Sequence, residues 1–452
     1  MIEPPALNIS ETIDNRRFGK FQFGLCILCG LCLIVDGFDV QAMGYVAPAI
    51  LQEWHIPNAQ FGPVFGAGLF GILVGSILFS MLADKIGRRP VLIGATLSFS
   101  ALTFLTAHAA NVSQMLVIRF LAGSVLGAIM PNAVALVGEY SPRRLRVTIM
   151  LAVANGFTAG AAFGGFIAAS LIPHFGWRSV FYFGAAAPLL IAAIMLVALP
   201  ESLQFLVLHR KHLPKAARWL RRIDPNAPRD ANAYFVAERK KQGIPWIRLF
   251  QEGRGVGTIL LWTVNFMNLL NVYFLASWLP TVAKQAGHAM GTSVLVGTME
   301  QLAGMIGGFS LGWFIHRFGF VPVLTSCFAL GCVNIAMIGW PGLTLPVLIT
   351  VVFLAGFGIV GGQSAINALS ATYYPTDMRA TGIGAGLGVG RIGAIIGPVV
   401  GGVLMGLHWS SQRLFLGAAV PALISAIVML GMHWVLKPQS SAARIPVPES
   451  VI

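Results

Sequence analysis

Two carboxylates inside an apolar run are the most chemically loaded feature of this sequence. They stand in Asp36-Gly37-Phe38-Asp39, within the stretch from Phe21 to Tyr45, which is long enough to cross a bilayer as a helix. An acidic side chain at that depth costs about 2.5–3.5 kcal/mol on insertion scales, so such groups face a wet cavity or a partner charge. On a helix Cys29, Cys32, Asp36, Asp39 and Met43 follow one another at spacings of three and four and share a face. Phe23, Ile27, Ile34 and Phe38 fall on the other side. The pattern predicts a helix with lipid or packed neighbours behind it, a polar cavity in front, and Asp36 and Asp39 as a proton-handling pair.

Two arginines also lie within apolar runs. Asp39 is about six residues inside its run, roughly 9 Å deep at 1.5 Å per residue, and Arg119, about five residues inside its own, lies at a similar depth. An arginine so deep wants a carboxylate, and Asp36 or Asp39 is the nearby supply. Arg391 lies near the middle of a later run with no acid beside it, so a substrate anion is a candidate partner, with Glu300 the rival. Asn265, Asn268 and Asn271 recur three apart, followed by Tyr273, and Gln363 and Asn367 lie four apart. Such amides either hydrogen-bond a ligand in a cavity or join helices to one another.

The elements that must position these groups are membrane spans. The 452 residues are 56% hydrophobic and 10% charged. Average soluble chains carry about 25% charged residues, so this is an integral membrane protein. Hydropathy predicts an all-α fold of twelve transmembrane helices in two six-helix bundles. The expected organisation is an N-terminal arm (1–20), a first bundle (21–199), a central segment (200–254), a second bundle (255–436) and a tail (437–452). In the central segment Ala216, Trp219, Leu220 and Ile223 recur at helical spacing between basic residues, which predicts short amphipathic helices. The net charge of +14 could suggest nucleic acid, but the placement of the 30 lysines and arginines argues against it. Arg178, Lys284 and Arg413 fall near one face, Arg119 and Arg391 fall within spans, and all the others fall on the side of the termini. By the positive-inside rule both termini are expected in the cytoplasm, at an inner membrane. The three cysteines Cys26, Cys29 and Cys32 have no histidine beside them and read as small apolar packing residues, so no metal or other cofactor is expected. Gly384-Ala385-Gly386-Leu387-Gly388-Val389-Gly390 lies inside a span with no strand before it and reads as close helix packing.

The halves repeat. Lys85, Gly87 and Pro90-Val91-Leu92 return as Arg317, Gly319 and Pro322-Val323-Leu324, and Pro142 with Arg146 returns as Pro375 with Arg379. Two parallel six-span repeats are what a rocking transporter is built from. Ala83-Asp84-Lys85-Ile86-Gly87-Arg88-Arg89 resembles the loop motif of the major facilitator superfamily, although Ser80 stands where that family usually has glycine. Gly87 permits the tight turn, and Arg88 and Arg89 suit the headgroup layer. The resemblance implies a conformational gate in which Asp84 joins Glu139, Arg143 and Arg146. Asp36-Gly37-Phe38-Asp39, Pro200-Glu201-Ser202-Leu203, Ser277-Trp278-Leu279-Pro280-Thr281 and Gly390-Arg391-Ile392-Gly393 narrow it to the aromatic acid:proton symporters.

That resemblance implies a transporter rather than an enzyme: proton-coupled uptake of an aromatic carboxylate such as benzoate or a hydroxybenzoate, by a monomer. The expected partners are that acid, protons and the lipid bilayer, without nucleic acid. Asp36, Asp39 and Glu300 are the expected proton-coupling residues. Arg119, Arg391, Asn265, Asn268, Asn271, Tyr273, Gln363 and Asn367 are the expected substrate contacts. The alternative in the same fold is a proton-coupled exporter of drugs or other small organic acids, against which Arg119 and Arg391 count for cationic cargo.

Overall fold

A computed structural model describes residues 7–208, 213–225, 234–235, 245–375 and 378–442. The tail beyond 442 and parts of the central segment lie outside the described residues. Apart from one two-residue strand pair, every regular element among the described residues is a helix. Twelve of these helices are long and apolar enough to cross a membrane. The chain divides into two compact units, Met1–Gln242 with Leu279–Thr298, and Gly243–Trp278 with Met299–Ile452.

The first unit contains α1 (Ile9–Asp14), α2 (Lys20–Trp54), α3 (Asn58–Ile86), α4 (Arg88–Thr106), α5 (Val112–Leu126), α6 (Ile129–Tyr140), α7 (Arg143–Ala154), α8 (Gly156–Phe175), α9 (Arg178–Ala198), α10 (Leu203–Leu208) and α11 (Leu213–Leu220). Helices α5 and α6 form one span interrupted at Gly127, and α7 and α8 one span interrupted at Asn155. Backbone contact holds α2 to α8. A Cβ on Gly37 would overlap the Phe157 carbonyl, and one on Gly160 would overlap the Ile34 carbonyl. The glycine between the two acids of α2 is thus what lets this helix close on its neighbour.

The polar pieces flanking the spans are packed too. Ile9 and Ile13 of α1 and Ala216, Ala217 and Leu220 of α11 are buried in the same apolar core as Leu28 and Leu136. Strand β1 (Leu7–Asn8) pairs in parallel with β2 (Tyr234–Phe235), tying the arm to the central segment. The amphipathic helix expected around Ala216 therefore forms as α11, with its apolar side against the bundle.

The second unit carries α12 (Pro245–Arg248), α14 (Met290–Phe318) from Met299 onward, α15 (Phe320–Ile338), α16 (Leu345–Tyr373), α17 (Arg379–Gly406), α18 (Ser411–Ala442) and α13 (Gly255–Gln285) up to Trp278. Trp278 Nε1 donates to the Pro398 carbonyl at 2.9 Å, fixing α13 on α17. Within the glycine-rich run of α17 the approach falls on Gly390, where a Cβ would crowd the Leu269 side chain and the Asn265 carbonyl. It continues three residues on at Gly393, where one would overlap the Phe266 carbonyl; Gly384 and Gly388 meet open space. The reading of that run as helix packing holds for this face.

Candidate functional site

On α2 the rotation of each turn decides which groups go inward. Asp36 and Asp39 are both buried, at 4% and 0% exposure, as are Cys29, Cys32 and Met43. Phe23 and Ile27 are exposed as expected, but Phe38 is not part of that outer face. Its ring packs edge-on against Phe183 of α9 at 5.5 Å and lies against Gly164 and Gly184, where absent side chains leave room.

Arg119 of α5 reaches Asp39 with both terminal nitrogens: Nη1 donates to Oδ1 at 3.0 Å and Nη2 to Oδ2 at 2.6 Å. Thr103 of α4 donates to the same Oδ1 at 3.4 Å. The pair is almost wholly enclosed, with side-chain exposures of 4% and 0%. A two-pronged geometry of this kind repays part of the cost of burying both charges, and removing one partner leaves the other stranded. The third guanidinium donor, Nε–H, is buried and meets no acceptor among the described residues. Of the two aspartates open to Arg119 from spacing, it is Asp39 that holds it.

The second unit gathers three of the expected amides into a chain about Gln363. Asn268 Nδ2 donates to Gln363 Oε1 at 2.9 Å, and Gln363 Nε2 donates to Asn265 Oδ1 at 3.0 Å and Asn367 Oδ1 at 3.3 Å. Asn268 Oδ1 is buried without a donor among the described residues. Gln363 and Asn367 are half-buried and so reachable. Asn271 stands apart: its side-chain amide faces the Ala418 carbonyl at 2.8 Å and the Ala422 N–H at 3.1 Å of α18, and the orientation that satisfies both has Nδ2 donating to the first and Oδ1 accepting from the second. Tyr273 lies half-buried on the same helix.

Arg391 is half-buried on α17 and bonds to no described residue. Glu300 of α14 is wholly buried, and neither carboxyl oxygen meets a partner among the described residues. The ion pair between them that spacing left open does not form. Among the described residues no group of three or more histidines, cysteines and acids stands together as a metal site. Cys32 donates to the Met195 sulfur at 3.5 Å, a packing contact of a buried thiol.

The residues that the resemblance places in a gate do not meet one another as expected in this structure. Asp84 is exposed at the end of α3 and bonds to no described residue, because Ala83 takes the inward position in that last turn. Glu139 instead forms an ion pair with Arg88 and accepts from Ser202 Oγ at 2.5 Å. Gly87 takes a left-handed φ of 102°, and the chain there wraps the Glu201 carboxylate. Glu201 Oε1 accepts from the N–H groups of Arg88 at 2.8 Å, Arg89 at 3.1 Å and Ser202 at 2.9 Å, so it caps α4. Arg143 and Arg146 meet Asp14 of the arm. The Arg143 N–H donates to Asp14 Oδ1 at 2.7 Å and Arg146 Nη2 at 3.4 Å. Glu201 was visible in the sequence only as part of Pro200-Glu201-Ser202-Leu203, one of the stretches that carry the family resemblance, and Asp14 carried no signal at all.

The chain matches the Major Facilitator Superfamily profile over residues 29–390 and again over 261–449. It is 38% identical to the 4-hydroxybenzoate transporter PcaK of Pseudomonas putida, over 93% of this chain and 95% of that one. It is 35% identical to the gallate transporter of Pseudomonas putida, over 95% and 96%. Among solved structures, a bacterial homologue of the human lysosomal transporter Spinster superposes with a TM-score of 0.70 at 15% identity, covering 92% of this chain and 97% of that one. That last likeness is one of fold alone.

Proposed function

Since this chain belongs to the major facilitator superfamily, among its aromatic acid transporters, we propose that it takes up an aromatic carboxylate together with protons. It is a multi-pass membrane protein and not an enzyme. One charge crossing 100 mV is worth about 2.3 kcal/mol, so an anion entering against an inside-negative potential needs accompanying protons.

The observation that carries this reading is the enclosed Asp39–Arg119 pair with its unused Nε–H. In this reading Arg119 always requires one counter-anion. A proton arriving on Asp39 frees the guanidinium for a substrate carboxylate, and departure of that proton restores the original pair, so proton and anion travel together. Asp36 lies one turn away on the same buried face and relays the proton. Glu300, enclosed with neither oxygen bonded among the described residues, is the carboxyl in the second unit suited to hold and pass a proton, since no described cation clamps it. Arg391 has a guanidinium to offer a carboxylate, and the half-buried amides Gln363 and Asn367 can meet ring hydroxyls. The Arg88–Glu139–Ser202 cluster and Gly87 act in gating, with Arg143 and Arg146 held by the arm rather than by Asp84. The protein works as a monomer in an inner membrane with both termini in the cytoplasm.

The test is uptake of labelled 4-hydroxybenzoate into proteoliposomes with an imposed pH gradient, outside acidic. Wild type should accumulate the acid against its gradient. Asp36→Asn and Asp39→Asn should each lose accumulation while still inserting. Normal accumulation in both variants would remove these residues from the coupling, and absence of any aromatic acid transport in wild type would end the reading.

A further inference from the structure

A second charged site lies away from Asp39, Arg119 and Arg391. Where α11 ends, Arg218, Arg221 and Arg222 line an open pocket of about 420 Å³ together with Pro214, Ala217 and Pro225. The helix closes on a tight turn, the Arg221 N–H donating to the Ala217 carbonyl at 3.0 Å and the Arg222 N–H to the Trp219 carbonyl at 3.1 Å. That turn gathers the three guanidinium groups on one side while Ala216, Ala217 and Leu220 stay buried in the core on the other. Among the described residues no acidic side chain lines the pocket. The adjacent acid, Asp224, is engaged by Arg16 at 2.7 Å. Arg218 and Arg221 bond to no described residue. Three like charges gathered round one hollow repel each other, and an anion there relieves the repulsion.

Depth identifies the anion. The Arg222 guanidinium lies 4.6 Å from the Trp219 ring and 5.6 Å from the ring of Phe21. Phe21 is the second residue of the first span and packs edge-on at 5.9 Å against Tyr140, the last residue of the fourth. The pocket therefore lies level with the ends of two spans, where aromatic side chains and lipid headgroups meet. The aromatic contacts also hold Arg222 in place before any ligand arrives. We propose that the pocket formed by Arg218, Arg221 and Arg222 binds the headgroup phosphate of an anionic phospholipid in the leaflet facing the termini. Because Arg16 of the arm holds Asp224 beside the pocket while Asp14 of the same arm caps α7 and meets Arg146, a lipid seated there braces the arm against α7.

The test uses the full-length protein in neutral detergent, titrated with tail-labelled phosphatidylglycerol and, separately, phosphatidylcholine. Wild type should prefer phosphatidylglycerol. The triple variant R218Q/R221Q/R222Q should lose roughly a hundredfold in its affinity, about fivefold per arginine. The triple lysine variant at these positions should keep most of it. Removing the same charge elsewhere, with K85Q/R144Q/R317Q, should leave it unchanged. Equal loss in that control would mean diffuse attraction and overturn the site, as would equal binding of the two lipids. Displacement of phosphatidylglycerol by inorganic phosphate at comparable concentration would assign the pocket to a soluble phosphoryl anion and overturn the lipid proposal.

Discussion

Asp39 and Arg119 are 80 residues apart in the chain and share two hydrogen bonds in a place closed to water. Truncating one member of such a pair costs about 3–5 kcal/mol, because the survivor remains charged and enclosed. Asp39→Asn and Arg119→Gln should therefore each lower the melting temperature of the purified protein clearly, and the double variant should recover much of the loss. All three should be inactive in proton-driven uptake. A double variant no more stable than the two losses added together would mean that the charges contribute independently. Arg391 is the opposite case, a cation without a bonded partner among the described residues. Lysine there keeps the charge and loses the planar fork, so Arg391→Lys should weaken equilibrium binding of the aromatic acid by about tenfold. Arg391→Ala should abolish binding with yield in the membrane fraction unchanged. Wild-type affinity in folded Arg391→Ala would move the carboxylate elsewhere, with Arg119 the next candidate.

Elements carry these residues by approaching closely enough to leave no room for a side chain. The clearest case is α2 against α8, where Gly37 faces the Phe157 carbonyl and Gly160 the Ile34 carbonyl. Gly37→Ala should push the helices apart at a cost of about 1–3 kcal/mol, and shift Asp36 and Asp39 with them. Transport should fall steeply, with a lowered melting temperature as the accompanying sign. Full activity would show that α2 can yield at this point. Gly30, seven residues earlier on the same helix, has open space within 4 Å of the point where a methyl would stand, so Gly30→Ala is the matched control and should be neutral. The motif in α2 is thus half chemistry and half clearance: its acids meet partners only because its glycine admits the neighbouring backbone.

For the whole molecule, charge asymmetry decides orientation. The basic residues outside spans crowd onto the side of the termini, and moving them across a bilayer is unfavourable. A single cysteine in the central segment of a cysteine-free background should therefore react with a membrane-impermeant reagent only in inverted vesicles. Labelling from outside intact cells would reverse the topology.

Hydropathy, charge placement and motif spacing are properties read along the chain, and they were enough for the all-α class, the twelve spans, the repeat of the two halves and the family. They also brought forward Asp36, Asp39, Arg119 and Arg391, since an ionised group at membrane depth stands out wherever it points. The partners of these groups came from packing in three dimensions. Spacing left Asp36 and Asp39 equal claimants for Arg119, and one turn of α2 separates them; the packing of α2, α4 and α5 selects Asp39. Asn271 shares a three-residue spacing with Asn265 and Asn268, yet a helix repeats every 3.6 residues, and the accumulated rotation carries it round to α18. Phe38 goes inward because glycines on α8 and α9 leave a recess for its ring. The acids that accept from Arg143 and Arg88 are Asp14 and Glu201, 129 positions before the one and 113 after the other, while Asp84 stays exposed. Contacts between such distant residues depend on how whole helices pack, and no local pattern in the chain records them.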